Sequence, residues 1–265
     1  MTSWFGCCWP ASRGRQALRA TSRSINYALG LGITQFLELG SGDPHISAAH
    51  AAIAAARTQP APRIVLIDHD VIVRARAELD MENQPPDWHR STFVEGNVFA
   101  TGWMLASLAK RGLLDLDQRV CVLAVDILHF GEPDINVRSV PRRLARRLAP
   151  GSLIAATHLA DQPLRPPADT GVLEDLRADT ARWRRAHHRC APPHHLLRSP
   201  ADFASLLADL DLLHPGITTP GCWPEPDNTA NPRAPYTLAA VGRVPEHSGH
   251  AKAHNARPQA RQRTR

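Results

Sequence analysis

The sequence predicts an α/β fold, a doubly wound and mostly parallel sheet in a three-layer sandwich. Apolar runs of strand length alternate with helix-like stretches of about 10–15 residues, the spacing of βαβ units. One run, residues 120–128, is apolar almost throughout, as a central strand covered on both faces must be. Glycine and polar residues recur where the successive runs end, the edge at which such sheets bind ligands.

Taken in order, residues 33–39 (ITQFLEL) read as a strand ending in Gly40-Ser41-Gly42, followed by an Ala-rich helical stretch over about 46–57. Residues 63–67 (RIVLI) form the second strand, stopped by Asp68-His69-Asp70, with a helix from Val71 to about Leu79 that Asp70 caps. Residues 92–94 are a short third strand ending at Glu95-Gly96-Asn97, and 102–111 are again helical. After the apolar fourth strand, 141–148 read as a short basic amphipathic helix with Pro141 at its first position. Pro150-Gly151 stops it before a fifth strand at 153–157. A long helix is expected over about 172–188. Ser199-Pro200-Ala201-Asp202 supplies an N-cap, a Pro at N1 and an acid at N3 for a helix to about Leu210. Residues 212–217 and 236–241 are the last two strands.

The 265 residues are 43% hydrophobic and 21% charged, ordinary globular values that exclude a collagen-like, wholly disordered or disulfide-scaffold chain. No run of 18 uncharged apolar residues is present, and residues 1–15 lack the apolar core of a secretory signal. Five irregularly spaced cysteines indicate neither a disulfide framework nor a four-cysteine zinc site. A cytoplasmic protein with reduced thiols, and no membrane partner, is the expectation. The net charge of +6 comes from the ends: residues 1–23 carry four net positive charges and 243–265 carry five, leaving 24–242 at −3. No specific nucleic-acid partner is therefore expected. The expected organisation is a basic, flexible segment at 1–23, one domain at 24–243, and a disordered basic tail at 244–265.

The most informative segment is Glu38-Leu39-Gly40-Ser41-Gly42, between the first strand and the first helix. Glycines there let the backbone turn tightly and approach a ligand, and the helix start presents free N–H groups. A dinucleotide site would want a third glycine, yet the chain continues Asp43-Pro44-His45, with an acid where a phosphate would sit. A nicotinamide-dependent reductase is thereby disfavoured. Asp68, 30 residues after Glu38, ends the second strand where a carboxylate can accept from ribose hydroxyls. Asn97 and Val98, after the third strand, are placed to meet an adenine ring.

This ordered set resembles the class I S-adenosylmethionine (SAM)-dependent methyltransferases. Residues 119–130 (RVCVLAVDILHF), 150–158, Leu197-Arg198-Ser199, 212–216 (LLHPG), Trp223-Pro224 and Val241-Gly242-Arg243 are similar to one bacterial group of them, over about residues 19–244. The resemblance implies a Rossmann-like sheet of seven strands with an antiparallel last strand, SAM as cofactor, and transfer of a methyl group to a small-molecule acceptor. It places Glu38, Gly40, Ser41, Gly42, Asp68, His69, Asn97 and Val98 around the cofactor. The donor is already activated, so alignment supplies much of the catalysis, and a base is needed only where the acceptor must lose a proton. Asp126 and His129, after the fourth strand, are the catalytic candidates, with His158 third by position. The sequence departs from the group in its first 20 residues, which replace a helical segment that helps close the active site. It also departs at Asp43-Pro44-His45, at Asn97, which replaces an acid, and at Asp126, which replaces a small apolar residue. The alternative is accordingly a non-catalytic SAM-binding or regulatory module of the same fold. The His187–His195 run has metal-ligand residue types, but its neighbouring arginines oppose a cation, and no metal is expected.

Overall fold

The protein is described by a computed structural model over residues 11–42, 48–83, 91–131, 137–160, 197–224 and 237–246, with Leu164, Gly171, Glu174, Ala178 and Ala181 individually. Its elements are α1 (Ala11–Gly30), β1 (Gln35–Leu39), α2 (Ala48–Ala55), β2 (Arg63–Asp68), α3 (Val71–Asn83), β3 (Ser91–Glu95) and α4 (Thr101–Lys110). They continue as β4 (Val120–Ala124), α5 (Ser139–Arg147), β5 (Leu153–Leu159), α6 (Pro200–Leu206), β6 (Asp211–Leu212) and β7 (Thr237–Arg243).

The seven strands form one sheet in the order β3-β2-β1-β4-β5-β7-β6. The pairs from β3 through β5 are parallel, and β7 runs antiparallel to both β5 and β6. The strand order reverses between β1 and β4, the switch point at which open α/β sheets bind ligands.

Alternation along the strands builds two cores. Leu37, Leu39, Val65, Ile67 and Val122 face Leu105, Leu144 and Phe203 of α4, α5 and α6. Phe36, Ile64, Leu66, Cys121 and Leu123 face Ile25 of α1, Ile53 of α2 and Trp223. Every residue of β1 and β4 is buried, Gln35 and Glu38 of β1 included, as strands covered on both faces are.

Several boundaries differ from expectation. β4 ends at Ala124, because Asp126 takes a left-handed φ of 53° and the chain turns into a 3-10 turn at Leu128–Phe130. β6 has two residues, and the segment after it keeps only the Leu213 N–H bond to the Val241 carbonyl and the Thr218–Ala239 bridge. α1 begins at Ala11, inside the stretch expected to be flexible, and buries Ala20, Thr21 and Ser24. At the other end Val244 is fully buried, tied to Gly151 and Ser152 by backbone hydrogen bonds. The α6 cap is as read: Ser199 Oγ accepts from the Asp202 N–H at 3.1 Å, with Pro200 at N1. Of the expected helix at 172–188 only Glu174, Ala178 and Ala181 are described, all helical. The rest, and the His187–His195 run, lie outside the described residues.

Candidate functional site

The candidate site lies at the C-terminal edge of the sheet, where the turn after β1 meets the end of β2 and the bend after β4. Gly40 and Gly42 have φ of 69° and 61°, a left-handed conformation that side chains disfavour. The turn is tied to β2: the Gly40 and Ser41 N–H groups donate to the Ile67 carbonyl at 2.8 and 3.1 Å. Gly40 is also crowded. A Cβ there would lie 2.8 Å from Cγ1 of Ile127, across the switch point.

Asp68 closes the turn from the β2 side. Its carboxylate is 5% exposed and accepts three backbone hydrogen bonds, from Gly42 (3.0 Å) on Oδ2 and from His69 (2.8 Å) and Asp70 (3.0 Å) on Oδ1. Three fixed donors hold the carboxylate in one orientation, with lone pairs left over for a ligand hydroxyl. Asp70 caps α3 as expected, accepting from Ile72 N–H at 2.8 Å. His69 is exposed, with Nδ1 3.8 Å from Asp68 Oδ1. Glu38 is buried in β1, in register with Leu66 of β2 and Leu123 of β4.

On the far side of β2, Asn97 is exposed and its Oδ1 accepts from the Phe99 N–H at 2.9 Å, shaping the turn into α4. The carbonyl side of the amide is thus engaged. Val98 is buried in the α4-side core.

The two catalytic candidates separate. Asp126 is half-buried and joined to Thr157 of β5 by two hydrogen bonds. His129 is fully buried, its ring centroid 4.3 Å from that of Phe130 and 6.0 Å from that of His158. His158 is buried as well, its Nδ1–H donating to the Leu159 carbonyl at 2.8 Å. Burial, with Arg198 nearby, pushes its imidazole down to about 4, so the ring is neutral. Sequence reading missed Thr157 and Ile127. Their part depends on contacts between strands, and the only local signal was the position of Thr157 near the end of the fifth strand.

Set beside known proteins, residues 9–245 match the profile of a family described as S-adenosyl methyltransferase. The chain belongs to that family. Its cofactor is S-adenosylmethionine, and the fold is the Rossmann-like class I methyltransferase fold. Among solved structures, a DUF574 family protein from Streptomyces avermitilis is 24% identical, over 88% of this chain and 83% of that one, with a TM-score of 0.66. A candidate methyltransferase from Thermobifida fusca is 21% identical, over 87% and 81%, also with a TM-score of 0.66. At these identities the likeness speaks for the fold. No curated protein sequence matches the chain.

The site fits the methyltransferase cofactor. The left-handed glycines leave the backbone of the turn uncovered at positions 40 and 42, the Asp68 carboxylate is oriented at the strand end, and the buried Ser41 hydroxyl has no hydrogen-bond partner among the described residues. An orphaned buried hydroxyl beside such a turn is a group that awaits a polar ligand.

Proposed function

We propose that the protein transfers a methyl group from SAM to a small-molecule acceptor at the edge between β1 and β4. The observation that carries this reading is the Asp68 carboxylate, pinned by three backbone donors against a left-handed glycine turn at the switch point. In it, Asp68 accepts from the ribose hydroxyls, and Gly40, Ser41 and Gly42 pack against the amino-acid moiety with Glu38 behind them. His69, Asn97 and Val98 border the adenine. The bound sulfonium supplies an activated methyl group, and the protein's task is to align the acceptor and exclude water.

Asp126 stands on the acceptor side, half-buried at the end of β4. His129, enclosed between Phe130 and His158, backs that bend from within. No helix among the described residues is long and apolar enough to cross a membrane.

Isothermal titration with SAM and S-adenosylhomocysteine (SAH), repeated on Asp68→Ala, tests the reading. Micromolar binding is expected for the wild type, with a loss of about 30-fold or more in the variant, the equivalent of a lost charge-assisted hydrogen-bond pair. Undiminished binding by Asp68→Ala would move the cofactor elsewhere. Turnover with any acceptor would remove the alternative of a non-catalytic binding module.

A further inference from the structure

We infer that Thr157 of β5 is a positioning residue for the cofactor turn, acting through the left-handed bend at Asp126. The inference rests on the cofactor reading above. Among the described residues Asp126 is the one non-glycine with positive φ, 53°. Aspartate enters that region more readily than most residues, but only where its surroundings hold it there.

The Thr157 hydroxyl bonds that bend at two points. The Asp126 N–H donates to Thr157 Oγ1 at 2.7 Å, and the Thr157 O–H donates to Asp126 Oδ1 at 2.8 Å. Thr157 is 2% exposed and sits inside the β5–β7 ladder opposite Ala239, so its hydroxyl is fixed by the sheet. Ala124, the last residue of β4, pairs with Ala156, which brings the bend alongside Thr157.

The bend sets the course of the chain beyond it. Residues 120–128 are apolar enough to continue as a strand, yet the chain leaves the sheet at Asp126 and lays Ile127 against Gly40. One line of contacts therefore runs from β5, through the end of β4, to the first glycine of the turn on β1. Valine has the shape of threonine but neither donates nor accepts. At position 157 it would leave the Asp126 N–H without its acceptor and release the bend.

The test is titration of the full chain with SAH, using wild type, Thr157→Val, Thr157→Ser, Asp126→Gly and the Asp126→Gly/Thr157→Val double variant, with folding checked by circular dichroism. Thr157→Val is expected to weaken binding about tenfold and Thr157→Ser to restore it, in line with coupling between contacting residues. Glycine adopts positive φ unaided, so in the Asp126→Gly background the valine substitution is expected to change affinity less than about twofold. A threonine that only stabilised the sheet would lower the melting temperature in both backgrounds and leave SAH affinity alone.

Unchanged affinity in folded Thr157→Val, or an equal loss in both backgrounds, would overturn the inference while leaving the cofactor reading intact. No SAH binding by the wild type would overturn both. Should Thr157→Val fail to fold, Ile127→Ala decides: it removes the last link, weakened binding supports the inference, and unchanged binding overturns it.

Discussion

Gly40 is constrained twice, by its φ of 69° and by Ile127 occupying the place of a side chain. The two effects can be separated, because Gly112 has the same φ of 69° with nothing within 4 Å of where a Cβ would lie. Gly112→Ala is expected to lower stability by about 1 kcal/mol, the left-handed penalty alone. Gly40→Ala adds the clash with Ile127 and is expected to lower it by roughly 2–4 kcal/mol and to abolish SAH binding. Urea unfolding of both variants gives the difference. Equal losses would mean that Ile127 yields freely and that the close approach at Gly40 is without consequence. Asp68 shows the complementary logic: it accepts from the Gly42 N–H across the strands, so the glycine turn and the acid form one feature on two strands.

At the scale of elements, α5 departs most from ordinary helix chemistry. Val140, Pro141, Leu144 and Ala145 are buried, while Arg142, Arg143, Arg146 and Arg147 face solvent with no acid in the helix. Arg146 and Arg147 favour the C-terminal dipole, but Arg142–Arg146 and Arg143–Arg147 are like charges at i,i+4, each destabilising by roughly 0.2–0.5 kcal/mol. Arg142→Glu turns one repulsive pair into the favourable Glu-before-Arg order. It is expected to raise stability by about 0.5–1 kcal/mol at low salt, and less at about 1 M salt. A fall in melting temperature at low salt would reveal a partner for Arg142 that the helix geometry does not show. Elements were legible wherever burial alone determines them. The mostly apolar β1, β2 and β4 runs and the Ser199-Pro200 cap stood out because each signal lies within a few residues. The end of β4 did not, since periodicity carries no trace of a hydroxyl on the neighbouring strand. The start of α1 was hidden for a different reason: small residues such as Ala20, Thr21 and Ser24 form its buried face, and an acid-free stretch of arginines reads as a tail. The glycine turn and Asp68 were legible because each belongs to one strand end, whereas Thr157 and Ile127 matter through contacts with strands distant in sequence.

For the whole molecule, the sheet brings two kinds of buried polar group together. Those at the C-terminal edge, Ser41 and Asp68, lie at the glycine turn, and those on the α4–α5–α6 side are enclosed by the core. His158 belongs to the second kind, neutral among Phe203, His129 and the carbonyl of Leu159, with Arg198 opposing any added charge. Its folded-state value of about 4 lies below the ordinary 6.5, so between those values the unfolded chain binds a proton that the folded chain refuses. Unfolding is favoured wherever the unfolded state binds more protons. The contribution of His158 is therefore neutral above about pH 6.5 and becomes destabilising as the pH falls towards about 4, reaching on the order of 3 kcal/mol. His158→Asn keeps an N–H near the place of Nδ1 for the Leu159 carbonyl and has nothing to titrate. Urea titrations at about pH 7 and about pH 4.5 should show wild type losing markedly more stability than the variant over that interval, after the carboxylates common to both are cancelled by the comparison. Parallel losses would mean that the ring takes up its proton inside the folded protein, so that the core around His129, His158 and Phe203 opens to water well before the sheet does.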